Sequence, residues 1–405
     1  MDAVRCDVLV IGAGPAGTAA AITLASAGVD VTLVDQVDSP RDKTCGDALI
    51  LDALTALSGL GVLDTVHERA AAAERIEVFA PDGSDVVLES EVRFLPRLSL
   101  DALLVERARR CGAQWKAPLR LAQLIQRADL VAGARFEGPA GSQSVSARVT
   151  LLATGAAVHP LELAGLCERR SASGFAVRQY VRNTRLAEQV RTPVISYDQR
   201  IRPGYGWIFP CPDAIFNVGA GVFMAQGSSC ADHSVRRVFD RFVDSFPLAR
   251  RLLSDATVLG PLKGAPLRTA LRGARFGRPG LLAIGEAAGS TYSFSGEGIG
   301  KALETGVLAA QLVVERLRDG RGVEDLEQTY TAELESTYRG RFRAYETAER
   351  WLGVPTFCNW LAERARRSAH VRSRLEAVIR EASDPTELFS IGGVARVFMP
   401  WVDRR

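Results

Sequence analysis

The stretch Asp7–Gln36, DVLVIGAGPAGTAAAITLASAGVDVTLVDQ, decides the reading of this chain. Val8 to Ile11 is a short apolar run, the pattern of a parallel strand buried on both faces. Gly12-Ala13-Gly14-Pro15-Ala16-Gly17 follows at once, and Ala16 to Ala27 is rich in helix formers. Gly28 suits the end of that helix, Val29 to Val34 reads as a second strand, and Asp35 stands at its close. In such a unit Gly12 permits the tight turn, Gly14 lets a pyrophosphate approach bare backbone, and Gly17 allows the helix to sit close to the strand. The helix N-terminus offers unpaired N–H groups to phosphate, and a terminal acid can accept from a ribose hydroxyl. A lone glycine-rich turn is weak evidence. Strand, glycines, helix, strand and acid in this order predict a dinucleotide site.

The chain has 405 residues, enough for two or three domains, with 47% hydrophobic and 24% charged residues, as in ordinary globular proteins. A net charge of +3 is too small to point to nucleic acid. Seven scattered cysteines, Cys6, Cys45, Cys111, Cys167, Cys211, Cys230 and Cys358, include no CxxC pair. No disulfide framework is expected, and a reducing, cytoplasmic setting is the default. His67, His159, His233 and His370 lack ligand spacing, so no metal is expected. No signal peptide is read before Cys6, and no apolar run approaches a membrane span.

Further along, Leu49 to Leu63 has helical spacing, whereas Arg75 to Glu89 alternates around Pro81-Asp82-Gly83 as a β-hairpin of a second sheet. Arg97 to Asp101 leads into a helix that runs through Arg110, with Ser99 as its N-cap. Arg120 to Val149 suggests short strands, and Val149 to Ala153 a buried one that returns to the first sheet. Phe175–Val181, Val194–Asp198, Gly206–Phe209 and Phe216–Phe223 read as strands of the second, antiparallel sheet, with a helix over Arg236–Leu253. Leu281 to Ile284 is again a buried strand, and the chain beyond Asp325 looks helical. The expected fold class is α/β: a Rossmann-type nucleotide-binding domain, an inserted antiparallel substrate domain and a helical C-terminal region. The expected boundaries are residues 1–72, 96–160 and 276–322 for the first, 73–95 and 161–275 for the second, and 323–405 for the third.

Two other stretches carry chemistry. In Leu281–Gly306 a buried strand ends in Gly285-Glu286, and Gly289, Gly296, Gly298 and Gly300 lead into a helix. This can set a carboxylate against a polyol and backbone N–H groups against an anionic ring edge; the bland alternative is a flexible surface loop. In Pro203–Gly221, Tyr205, Trp207 and Phe209 alternate and share one face of a strand. They can be plain core, or the wall of an apolar pocket with a hydroxyl and an indole N–H as polar handles. Cys45 is either a small buried hydrophobe or a thiol whose pKa is lowered near Lys43 and a helix start. Lys43 itself reads as a solvated charge.

Four motifs together resemble the geranylgeranyl reductase family of FAD-dependent enzymes, within the p-hydroxybenzoate hydroxylase-like superfamily. They are GAGPAG at Gly12–Gly17; Lys43-Thr44-Cys45-Gly46; Tyr205-x-Trp207-x-Phe209-Pro210 with Gly219-x-Gly221; and Gly285-Glu286-Ala287-Ala288-Gly289 with Gly296-Glu297-Gly298-Ile299. The resemblance spans about residues 5–320. It implies FAD held at Gly12, Ala13, Gly14, Pro15, Ala16, Gly17 and Asp35, with Arg41 and Arg97 near the phosphates or the ring linker. It places Gly285-Glu286 at the ribityl chain or pyrophosphate, Gly46, Gly296, Gly298 and Ile299 beside the flavin ring, and Cys45 between flavin and substrate. Tyr205 and Trp207, with Phe209, would line a tunnel for a lipophilic substrate. Glu286 stands where the family usually has Asp, and Ala153-Thr154-Gly155 replaces an Asp-Gly pair tied to nicotinamide contacts, which leaves NAD(P)H open as the electron donor. The related tryptophan halogenases carry a paired-tryptophan motif that is missing here.

The resemblance implies an oxidoreductase that reduces a carbon–carbon double bond of a prenyl-like or other lipophilic substrate. The alternative is a flavin monooxygenase hydroxylating an aromatic ring. Trp351 to Ile379 is amphipathic, with Arg364, Arg366, Arg367, Arg372 and Arg374 off the apolar face. It reads as helices packed on the flavin domain, or as a peripheral contact with anionic lipid.

Overall fold

The computed structural model describes residues 4–223, 234–293 and 295–398. Cys230, His233 and Phe294 lie outside the described residues. Two sheets of different construction carry the molecule. At the centre of the first, Val4–Ile11 lies parallel between Val31–Val34 and the long strand Gly141–Leu152, with Val8 opposite both Val31 and Val149. Leu281–Ala283 and Gln114–Lys116 extend it on either side, again in parallel. Val8, Leu9 and Val10 are fully enclosed. Pro15–Ser26 packs against Ile299–Arg318 and Arg97–Arg110. The first pair is close because Gly306 has no side chain: a Cβ there would lie 2.2 Å from the Ala16 carbonyl oxygen.

The strands expected over Arg120–Val149 are long rather than short. Arg120–Arg127 and Leu130–Gly138 form a hairpin that pairs antiparallel with the outer half of Gly141–Leu152, so the first sheet has eight strands. Gly28 adopts φ +82 just past the first helix, as its sequence position suggests. Ser99 does not cap the Arg97 helix. Pro96 is the N-cap residue and has no capping side chain; the first-turn N–H of Arg97 is accepted instead by Asp47 at 3.1 Å.

The second sheet has nine strands, mostly antiparallel, with Gly204–Pro210 beside Ile215–Phe223 and Ile215–Phe223 beside Gly174–Arg182. The hairpin Ala71–Phe79/Asp85–Phe94 joins through one parallel pair, Val194–Ser196 on Glu77–Phe79. Ala48–Leu49 pairs with Arg93 and Phe94 at its far edge, so the segment 1–72 feeds strands into both sheets. The helix expected over Arg236–Leu253 is two, Val235–Ser245 and Pro247–Ser254, divided at a proline that starts the second. The first seats Phe242 against Gly206, where a Cβ would lie 2.2 Å from the ring.

The C-terminal helices Leu326–Leu352, Pro355–Arg367 and Ala369–Ile379 are where the sequence pattern puts them. The last two pack on the second sheet's hairpin rather than on the nucleotide-binding helices. Phe357, Leu361, Val371 and Val378 share a core with Val86 and Leu88. The Glu376 carboxylate accepts the Glu89 N–H at 2.9 Å, which satisfies a backbone donor on the hairpin.

Candidate functional site

One cavity of about 750 Å³ runs between the two sheets. Its first end is the glycine turn. Gly12, at φ +106, lies so near the third strand that a Cβ would fall 2.3 Å from the Ala153 carbonyl oxygen. Gly17 is closer still to the turn: its Cβ would lie 1.8 Å from the Gly12 oxygen. Only hydrogen fits at either position. At Gly14 the neighbour is the guanidinium end of Arg41, 2.8 Å from a built Cβ, with Arg97 at 3.9 Å. The free N–H groups of a helix N-terminus and two arginines therefore converge on one point, a phosphate cradle in geometry and charge.

The arginines are aimed by Asp101, which sequence reading missed. It takes both arms of Arg97 at 2.8 and 2.9 Å and Arg41 at 3.1 Å. Asp101 is four residues after Arg97 on one helix, the spacing that could have flagged it. Asp35 accepts the Ala13 N–H at 2.7 Å and the Val37 N–H at 3.0 Å, so it fixes the turn while lining the cavity. Arg41 Nε and Thr154 Oγ1 are buried along the cavity with no hydrogen-bond partner, polar atoms suited to a bound nucleotide.

Of the predicted site residues, Gly12, Gly14, Pro15, Ala16, Asp35, Arg41, Cys45, Gly46, Arg97, Tyr205, Trp207, Glu286, Gly296, Gly298 and Ile299 all line this cavity. Ala13, Gly17 and Gly285 stand behind it and act as packing. Gly285, at φ +62, donates its N–H to Thr305 Oγ1 at 3.0 Å, and a Cβ there would meet Ala16 at 2.6 Å.

Lys43 is not a solvated charge. Its ammonium bonds Glu286 Oε2 at 2.8 Å, and the other Glu286 oxygen accepts the Arg268 N–H at 3.3 Å. The Cys45 thiol follows the buried one of its two readings. Burial pushes it up, against the opposing field of Arg97, so it keeps its proton. Tyr205, Trp207 and Phe209 form a continuous aromatic wall, with ring centroids 6.0 and 6.2 Å apart. Phe209 lies against Gly46, where a Cβ would be 3.1 Å from its ring. Tyr205 donates to the Ser295 carbonyl, which joins this wall to the loop before the Ile299 helix.

Asn217 is the second residue sequence reading missed. It accepts the Trp207 indole N–H at 2.9 Å and donates to Cys45 O and Asp47 Oδ2, both at 2.7 Å. Asp47, at φ 66, also takes the Tyr180 hydroxyl and the Arg97 N–H, the latter at 3.1 Å. Burial raises its carboxyl to about 6 despite the Tyr180 and Asn217 hydrogen bonds. Behind the cavity a buried cluster joins nucleotide helix to C-terminal layer: Lys301 binds Asp52 at 3.2 Å, Glu304 at 2.8 Å and Glu381 at 2.9 Å. Burial, Asp52 and Glu381 together drive Glu297 well above the ordinary carboxyl range.

Beyond the aromatic wall the cavity is apolar. Val86 and Leu88 of the hairpin face Leu361, Val378, Ile379 and Phe389 of the C-terminal helices across it. No helix among the described residues is long and apolar enough to cross a membrane.

Residues 5–158 match the model of an FAD binding domain. The chain is 30% identical over 376 residues to menaquinone reductase of Mycobacterium tuberculosis, covering 88% of this chain and 85% of that protein. It is 28% identical over 346 residues to digeranylgeranylglycerophospholipid reductase 1 of Methanopyrus kandleri, covering 85% and 90%. In fold it is similar to a geranylgeranyl bacteriochlorophyll reductase-like protein of Thermoplasma acidophilum, with a TM-score of 0.78 at 20% identity over 98% of this chain and 96% of that one. A flavin-dependent brominase shares the fold with a TM-score of 0.75 at 16% identity over 99% and 100%. Two sheets clasping a glycine cradle, an aromatic wall and this kinship along most of the chain have one meaning: the protein is a member of the geranylgeranyl reductase family of FAD-dependent oxidoreductases.

Proposed function

We propose that the chain reduces a carbon–carbon double bond in the prenyl part of a lipophilic molecule, such as an isoprenoid quinone or a prenylated lipid. The observation that carries this reading is the shape of the cavity: a charged glycine cradle at one end, an aromatic wall in the middle and a largely aliphatic and aromatic far end. Such an end suits a hydrocarbon chain and leaves a polar substrate without partners. The relatives named as reductases of menaquinone and of a digeranylgeranyl lipid support it.

In this reading residues 1–72, 96–160 and 276–322 form the flavin-binding unit, 73–95 and 161–275 the substrate unit, and 323–405 its outer wall. Bound FAD supplies a hydride to one alkene carbon when reduced. Gly12, Gly14, Arg41 and Arg97 bind its pyrophosphate, Asp35 its ribose, and Glu286 its ribityl chain. Trp207 and Tyr205 press the alkene toward the ring and exclude water. The Cys45 thiol, protonated by burial, stands as the proton source for the second carbon rather than as a nucleophile. In this reading the electron donor is NAD(P)H, and lipid substrates are taken up at a membrane surface.

The test is anaerobic. Chemically reduced holoenzyme mixed with a prenylated quinone should reoxidise without oxygen and yield a product heavier by two hydrogens. Reoxidation only with oxygen, with an oxygenated product, would replace this reading by monooxygenation.

A further inference from the structure

The Lys43–Gly46 motif lies in the amino-terminal part of the chain, yet side chains of the second sheet hold it. From Gly174–Arg182, Arg178 binds the Asp42 carboxylate and the Lys43 carbonyl, and Tyr180 binds Asp47. From Lys263–Leu267, the Lys263 ammonium binds Asp42 at 2.7 Å. From Ile215–Phe223, Asn217 binds Cys45 O and Asp47. Asn217 spends its oxygen on Trp207 and its nitrogen on the loop, so one amide spans the aromatic wall and the Cys45 turn. Both residues are fully buried, where an amide with one partner removed would leave costly unsatisfied atoms.

We propose that Asn217 and Asp47 are positioning residues: together they set the placement of the Cys45 turn against Trp207, and so align the group facing the flavin with the wall facing the substrate. The inference deepens the reductase reading and rests on it for its catalytic meaning. Asn217 stands behind the cavity and Asp47 at its edge, and both act through Cys45 and Trp207. Asp47 is surrounded by Tyr180 and Arg178 from one strand, Asn217 from the next, Arg97 with its partner Asp101 from the helix, and the Cys45 and Cys211 thiols. Its ionisation at about pH 6 makes the alignment responsive to mild acid.

The experiment uses the full chain, first without added flavin. Trp207 emission, isolated by difference from Trp207→Phe, should show a transition near pH 6 that Asp47→Asn abolishes. Alkylation of Cys45, isolated by difference from Cys45→Ser, should be faster in Asn217→Ala. With flavin and a prenylated quinone, Asn217→Ala should lower kcat about tenfold to a hundredfold while KM changes by less than about threefold. If Asn217→Ala fails to fold, Tyr180→Phe decides: losing one donor to Asp47 should move the emission transition to higher pH. Emission and labelling unchanged in Asn217→Ala, or an unmoved transition in Tyr180→Phe, would overturn the proposal. A wild type that passes the emission and labelling arms but reduces no prenyl compound would overturn the reductase reading and, with it, the catalytic meaning of the pair.

Discussion

The glycine cradle and the Asp42–Asp47 loop face each other across one cavity and are built by opposite means. The cradle has its shape because side chains are missing: at Gly12 and Gly17 a single methyl would collide with backbone oxygen. The loop has its shape because side chains are present, reaching it from three strands of another sheet. The glycines of the first fall within six residues of sequence, although Gly12 abuts Ala153. The second is specified by partners more than a hundred residues away, and its polar atoms are satisfied only when both sheets are in place.

Four measurements sharpen or break that contrast. The largest effect is expected at the cradle: Gly17→Val should destabilise the chain by about 3 kcal/mol or more, because the clash is with backbone that cannot repack. Thermal unfolding that stays at the wild-type midpoint would show that the turn can yield. At the loop, Asp47 makes stability depend on acid. Its folded pKa, about 6, is above its ordinary 3.8, so its contribution is full below about pH 4 and is lost as pH rises through 6. That loss is on the order of 3 kcal/mol, and Asp47→Asn should remove it from the pH–stability curve. Glu297, Glu381 and Glu349 are raised in the same direction, so only the difference between wild type and variant isolates Asp47.

A milder test separates binding from folding. At Gly14 a methyl meets only the movable end of Arg41, so Gly14→Ala should keep the melting temperature. It should weaken FAD roughly tenfold to a hundredfold in a fluorescence titration, by about 1–3 kcal/mol. The smallest effect belongs to a surface pair away from both regions. Glu106→Ala breaks a solvent-exposed contact with Arg110 at 3.0 Å and should cost no more than about 0.5 kcal/mol by chemical denaturation.

The same contrast explains what could be read from the amino-acid order. The βαβ unit, the aromatic strand and the glycine loop before Ile299 are periodic or punctuated over short windows, and all were legible. Asp101 lay within reach as the acid one turn after Arg97. Pro247 announced the break between two helices that were expected as one. Asn217, Asp47 and Lys43 carried no such sign. Each acquires its role from a partner 170 or more residues distant, for which periodicity has no signature. Cys45 was left between two readings for the same reason: neighbouring charge in sequence could lower its pKa, while burial by remote residues raises it.

The outer wall of the apolar end is made by the helices Pro355–Arg367 and Ala369–Ile379. Until they dock, the hairpin face carrying Val86 and Leu88 is an open trough, and the oily half of the cavity does not exist. A hydrocarbon guest held there would touch both sides of that seam at once, and would thereby act as mortar between the hairpin and the tail.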